Sequence, residues 1–143
     1  MDDSNSLLEQ AYDLCEEGEY TLALEYYDFV LFKDPKNLMA QIDKGVTLQN
    51  LGKYRQAIKC YDKVLAIDQA NKTTLVNKGS ALHSIQKYHE AIACYDEALK
   101  IDSKYALAIV YKGLALGEIG LLKQAIKCFN DALRIDKKYD LAL

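Results

Sequence analysis

Tryptophan is absent, proline occurs once, as Pro35, and no low-complexity stretch forms a flexible linker. Residues 1–143 are therefore expected to be one domain, a length that suits a single core. No apolar run approaches the roughly 20 residues that a membrane span needs. No basic start leads into an apolar stretch, so no signal peptide is expected at the N-terminus. These two absences point to a soluble, cytoplasmic protein with no membrane partner. The four cysteines form no CxxC pair, which leaves zinc without its usual ligand cluster. The only histidines, His83 and His89, are six residues apart and do not share a helical face. Cys94 is the nearest nucleophile to them, and surface histidines are the ordinary explanation. The glycines make no phosphate-cradling loop. No catalytic residue, metal ligand or cofactor is therefore expected, and the chain does not read as an enzyme.

Charge is unevenly spread. Residues 1–34 hold ten acids against one base, Lys33, a balance of −9, whereas residues 35–143 hold seventeen bases and eleven acids, a balance of +6. Such polarity can steer charged partners or favour head-to-tail association, but solvated helix faces with an uneven share of charge are the plainer explanation.

What the sequence has in abundance is a period of 34 residues. Lys44-Gly45, Lys78-Gly79 and Lys112-Gly113 follow it, as do Ala23, Ala57, Ala91 and Ala125, and Tyr27, Tyr61, Tyr95 and Phe129. A fixed period of this length marks stacked helix pairs. In residues 38–71, Gln41, Gly45, Leu48 and Leu51 fall on one helical face, Gly52 ends that helix, and Tyr54 to Ile67 trace a second amphipathic helix. Asp68 to Asn71 then turn the chain into the next unit. Each unit is thus helix A, tight turn, helix B, loop. The recurring Gly and Ala are expected to let two backbones approach, with Tyr61, Tyr95 and Phe129 filling space between repeats. A helical glycine costs about 1 kcal/mol relative to alanine, which a sequence accepts repeatedly only where packing returns more. Cys60, Cys94 and Cys128 recur at one place in three repeats. Adjacent helix axes lie about 8–10 Å apart and a disulfide needs Cα atoms within about 7 Å, so reduced thiols are expected.

The units resemble the tetratricopeptide repeat (TPR). The third reads Leu75…Lys78-Gly79…Leu82…Tyr88…Ala91…Tyr95…Ala98, and the fourth Ile109…Lys112-Gly113…Leu116…Leu122…Ala125…Phe129…Ala132. Repeats are placed at about 4–37, 38–71, 72–105 and 106–139. The resemblance implies an all-α fold, a right-handed alpha-alpha superhelix (TPR solenoid) of four helix-turn-helix repeats. Leu7, Gln41, Leu75 and Ile109 replace the family's Trp, Lys44, Lys78 and Lys112 stand where Leu is usual, and only the first unit keeps the closing proline. Lysine can lay its stem over a core and keep its ammonium wet.

The resemblance also implies that helix A lines a concave groove and that the function is protein interaction. Helix A carries a second apolar stripe of Leu8, Tyr12, Ile42, Val46, Val76, Val110 and Leu114. Asp43, Asn77, Ser80 and Tyr111 stand among its polar neighbours. These eleven residues are the expected ligand groove, suited to an apolar peptide or an amphipathic helix carrying a basic residue or two. A wider core contact between A helices is the competing explanation of the stripe, and partial exposure of Ile42, Val76 and Val110 separates the two. The family's chaperone-tail sites use Lys, Arg and Asn to hold a carboxylate. The corresponding places here hold Leu8, Tyr12, Asp43, Thr73 and Asn77 in one frame, and Ile42, Val46, Asn77, Leu107 and Tyr111 in the other. Only Asn77 fits, so a carboxylate clamp is not expected. Nucleic acid is a weaker alternative, because the basic residues fall on helix B. Asp140 to Leu143 look like the opening of a fifth helix A. The face of Leu122, Ile126, Phe129 and Leu133 then lacks a neighbour, as expected either of a fragment of a longer protein or of an edge that meets another copy. Self-association or a structural assembly role is the other functional reading.

Overall fold

The computed structural model describes residues 3–136, so the expected fifth-helix opening lies outside the described residues. Eight helices follow one another: α1 (Asp3–Glu16), α2 (Tyr20–Lys33), α3 (Leu38–Asn50), α4 (Tyr54–Ile67), α5 (Lys72–Ser84), α6 (Tyr88–Ile101), α7 (Ala106–Glu118) and α8 (Leu122–Ile135). There is no strand among the described residues. The odd-numbered helices are the A helices of the repeats and the even-numbered ones the B helices. They gather into two compact units, Met1–Gln69 and Ala70–Leu143, divided in the loop after α4.

The same local chemistry closes every A–B turn. The Lys53 N–H donates to the Leu48 carbonyl at 2.8 Å, and Glu19 to Leu14, Lys87 to Leu82 and Leu121 to Leu116 do likewise. This six-residue closure requires a left-handed residue just past the helix. Gly18, Gly52 and Gly120 supply it in three repeats, and in the third Gln86 takes it at φ 65°. Helix starts are capped where the sequence offers asparagine: the Asn37 and Asn71 side chains accept from the Ala40 and Thr74 N–H groups at 3.0 Å.

In the first unit, Ala11, Ala23 and Tyr27 form a buried cluster against which Leu8, Leu14 and Leu24 pack. In the next repeat the Tyr61 ring lies directly over Gly45, so that a Cβ there would stand 2.5 Å from a ring carbon. The same arrangement recurs twice in the second unit, with Tyr95 over Gly79 and Phe129 over Gly113. The Tyr95 ring also meets Tyr111 of the following repeat, so it fills space between repeats as expected and within its own repeat as well. Each ring fills the hollow left by the missing side chain of a glycine in its own repeat.

Adjacent repeats are joined by charge as well as by apolar contact. The Lys44 ammonium meets the Asp28 carboxylate at 2.7 Å, from α3 back to α2. In the second unit Lys112 of α7 meets Asp96 of α6 at 2.7 Å, while Lys72 pairs with Asp102 within its own repeat, its ammonium over the Tyr105 ring. Ala40 and Thr47 on α3 and Ala108 and Ala115 on α7 are buried, and Thr47 meets Cys15 of the preceding pair. Their equivalents on α1, Ser6 and Asp13, are polar and exposed. At the far end, Leu122 and Ile126 of α8 are 62% and 58% exposed. No helix among the described residues is long and apolar enough to cross a membrane.

Candidate functional site

Each unit contains a cavity built from the same places in the repeat. In the first, Tyr12, Cys15 and Glu16 of α1, Tyr20 and Tyr27 of α2, and Asp43, Val46, Thr47 and Asn50 of α3 enclose about 380 Å³. In the second, Ser80, His83 and Ser84 of α5, Tyr95 of α6, and Tyr111 and Leu114 of α7 enclose about 170 Å³. Every residue of the second list stands 68 positions, two repeats, after one of the first. The spacing explains the convergence. Positions 12, 15 and 16 share one helical face, as do 43, 46, 47 and 50. The following B helix lends an aromatic to the floor.

The floor of the first cavity is a chain of polar contacts. The Tyr27 hydroxyl lies 3.7 Å from the Cys15 sulfur, which lies 3.4 Å from the Thr47 hydroxyl. Thr47 donates to the Asp43 backbone carbonyl at 2.8 Å. Burial pushes the Tyr27 phenol well above its ordinary range, helped by its bond to Cys15. At the rim, Tyr12 is 62% exposed, and the Glu16 carboxylate bonded to its phenol raises the phenol's pKa. Asp43 differs from the rest. Burial alone raises its carboxyl, and among the described residues it has no ion pair. Lys44, the nearest base in sequence, is committed to Asp28.

The second cavity carries no carboxylate. Ser84 replaces Glu16, and Tyr111 replaces Asp43. The Tyr111 ring leans on Tyr95, centroids 5.9 Å apart, and the His83 ring meets Tyr88 edge to face at 5.0 Å. Burial raises the Tyr95 phenol as it does Tyr27.

The eleven residues of the expected groove are thus divided. Tyr12, Asp43 and Val46 come together in the first cavity, and Ser80, Tyr111 and Leu114 in the second. Leu8 packs on the first unit's core instead. Ile42, Val110 and Asn77 are half-buried and line neither cavity. Val76 is 1% exposed, so the partial exposure expected of it is not found. Leu8, Ile42, Val76 and Val110 lie one residue past the core stripe, and a helix turns about 100° in that step, which puts them on the edge of the packed face. On α5 that face is wider, with Thr74, Leu75 and Val76 buried in succession. Sequence reasoning missed Cys15, Glu16, Tyr20, Tyr27, Thr47 and Asn50. A signal for the floor was present twelve residues apart. Cys15 faces Tyr27, and the Tyr61 hydroxyl donates to Gln49 at 2.6 Å, while in the last repeat both groups vanish together as Gly117 and Phe129.

No group of three or more His, Cys, Asp or Glu is placed to hold a metal among the described residues, and all four cysteines are free thiols. Repeated helix pairs with a side-chain cavity between successive A helices define a helical-repeat interaction protein. The family pattern described as Psidin, N-terminal TPR repeats region, matches residues 7–109, and that of the tetratricopeptide repeat matches residues 108–139. The chain belongs to the tetratricopeptide repeat family. Its fold is similar to that of MamA (residues 41 to the end) from Desulfovibrio magneticus RS-1, with a TM-score of 0.86 at 21% identity over 96% of this chain and 77% of that one. A tetratricopeptide repeat protein from Parabacteroides merdae is similar too, with a TM-score of 0.83 at 22% identity over 94% of this chain and 54% of that one. The second TPR of Spaghetti (RPAP3), solved bound to the HSP90 peptide SRMEEVD, is 32% identical over 71% of this chain and 95% of that one, with a TM-score of 0.67. A comparison with curated proteins returns no match.

Proposed function

We propose that the chain is a non-catalytic, cytoplasmic protein-interaction module that holds an extended peptide or a helix against its A helices, the cavity of each unit being a receptor for a ligand side chain. The observation that carries this reading is the recurrence of one cavity at a spacing of 68 residues, with apolar side chains left exposed at its rim. Leu114 is 48% exposed and Tyr12 more so. Exposed apolar residues around a partly polar recess are the usual anatomy of a peptide pocket. The peptide complex of the RPAP3 relative supports the ligand class. An acidic tail of that kind is not the ligand here, because neither cavity holds a Lys or Arg to offset a carboxylate's desolvation. The same lack argues against nucleic acid. Selection of a random peptide library on the chain tests the reading. It should return peptides with a common motif that lose binding to Leu114→Lys and Val46→Lys, both at cavity rims. Peptides that bind these variants unchanged would place the ligand elsewhere.

The second reading, self-assembly, rests on the exposed Leu122 and Ile126 of α8. Light scattering over a range of concentrations tests it: growth in mass that Ile126→Lys abolishes supports it, and a concentration-independent monomer removes it.

A further inference from the structure

We infer that the cavity of the first unit is a receptor for a basic side chain, the guanidinium of arginine or the ammonium of lysine, on a bound peptide. This deepens the peptide-binding reading and rests on it. Two carboxylates, Glu16 and Asp43, and three phenol rings, Tyr12, Tyr20 and Tyr27, share one recess of about 380 Å³. None of its lining residues is a Lys or Arg. The nearby Lys44 is spent on Asp28 at 2.7 Å and neutralises nothing in the recess. Glu16 and Asp43 reach it from different helices, α1 and α3.

The ligand's chemistry follows from what each class would meet there. An acidic side chain meets two carboxylates and is repelled. An apolar one removes water from Asp43 and gives it no partner, which is costly. A cation supplies the missing partner, and its flat or compact head lies against tyrosine rings, where the ring quadrupole attracts it. The acidic surroundings, ten acids in the first 34 residues, draw a basic segment toward this end. The second unit provides an internal comparison. The same architecture with Ser84 for Glu16 and Tyr111 for Asp43 keeps the recess and loses the charge. The acids are therefore an addition to the shared cavity and not a requirement of the repeat.

The test is a titration of the full chain, followed by the backbone amide signals, with four probes: the Nα-acetyl amides of arginine, lysine, norleucine and glutamate. Arginine and lysine should give saturable shifts at Tyr12, Asp43, Val46 and Thr47, at least about fivefold tighter than norleucine, the scale of one cation–ring contact. Glutamate should give none. Asp43→Asn should erase the preference for cations with the rest of the spectrum intact, since Asn77 already occupies the same place one repeat on. Norleucine binding as tightly as arginine would overturn the inference and leave the recess a pocket of other chemistry. Absence of any saturable shift at these residues would overturn it too. In that case the library selection, which asks for a peptide anywhere on the chain, decides separately whether the broader reading stands.

Discussion

The Lys112 ammonium of α7 lies 2.7 Å from the Asp96 carboxylate of α6, which reproduces in the second unit the contact of Lys44 with Asp28 in the first. Both partners sit sixteen residues apart and both remain partly exposed, so each pair contributes little, about 0–1 kcal/mol. Its value is positional. A point contact between opposite charges favours one register of α7 on α6. The lysine at this place therefore does more than keep its ammonium wet.

Glycines of one helix should differ sharply in what they tolerate. A Cβ on Gly113 would stand 2.6 Å from the Phe129 ring, whereas one on Gly117, four residues on, meets nothing within 4 Å. Overpacking costs about 1–3 kcal/mol and outweighs the helix-propensity gain of about 1 kcal/mol. Gly113→Ala should therefore lower stability and Gly117→Ala should raise it by up to about 1 kcal/mol. Urea unfolding of the two variants checks both signs.

Gln86 occupies the left-handed turn position that glycine fills in the other three repeats. The conformation costs a side-chain-bearing residue about 1–2 kcal/mol, partly offset because glycine loses more freedom on folding. Gln86→Gly should raise the melting temperature. An unchanged or lower value would show that the Gln86 side chain earns its place by a contact of its own.

Asp43 sets a pH dependence. Burial raises its carboxyl above the ordinary value, so the folded chain holds this proton at pH values where the unfolded chain has lost it. Stability from this group is thus greatest below the unfolded value of about 3.9 and falls as pH rises through the folded value. At neutral pH the charged, uncompensated carboxylate is a liability. Asp43→Asn should melt higher than the parent at pH 7, with the difference shrinking toward pH 3. A variant that melts lower at pH 7 would mean that a partner stabilises the charge.

Val76 and Leu114 both belong to the expected groove, yet they should behave oppositely. Val76 is fully enclosed, and Val76→Lys places an ammonium in a packed interior, a loss of several kcal/mol. Leu114→Lys changes a half-exposed rim residue and should alter stability by no more than about 0.5 kcal/mol. Circular dichroism melts separate them. Loss of peptide binding by Leu114→Lys with its melt intact identifies the rim as a ligand contact.

The repeat period, the helix pairs and their turns were legible because each depends on residues close in sequence. Glycine at 45, 79 and 113 and an aromatic sixteen residues later announce one packing solution three times. The cavities were half legible. Tyr12, Val46, Ser80 and Leu114 lie on the face that periodicity selects. Tyr20, Tyr27 and Tyr95 come from the B helix, where the same periodicity marks them only as apolar. Val76 shows the other limit: Ile42 and Val110 share its place in the repeat and are half-buried, so its burial reflects neighbours that periodicity alone cannot supply.

Seating each aromatic ring on a glycine of its own repeat largely separates two duties that many folds assign to the same residues. The exposed rim side chains proposed to touch a visitor are not the ones that keep a helix pair closed, whereas the Tyr95 ring, on Gly79 and in the cavity floor, serves both. A designer could therefore rewrite positions 12, 16, 43 and 46, or 80, 84, 111 and 114, as a vocabulary for different partners without disturbing the hinges of the repeat. The chain's own two recesses, one charged and one neutral on a common frame, already spell two words in it.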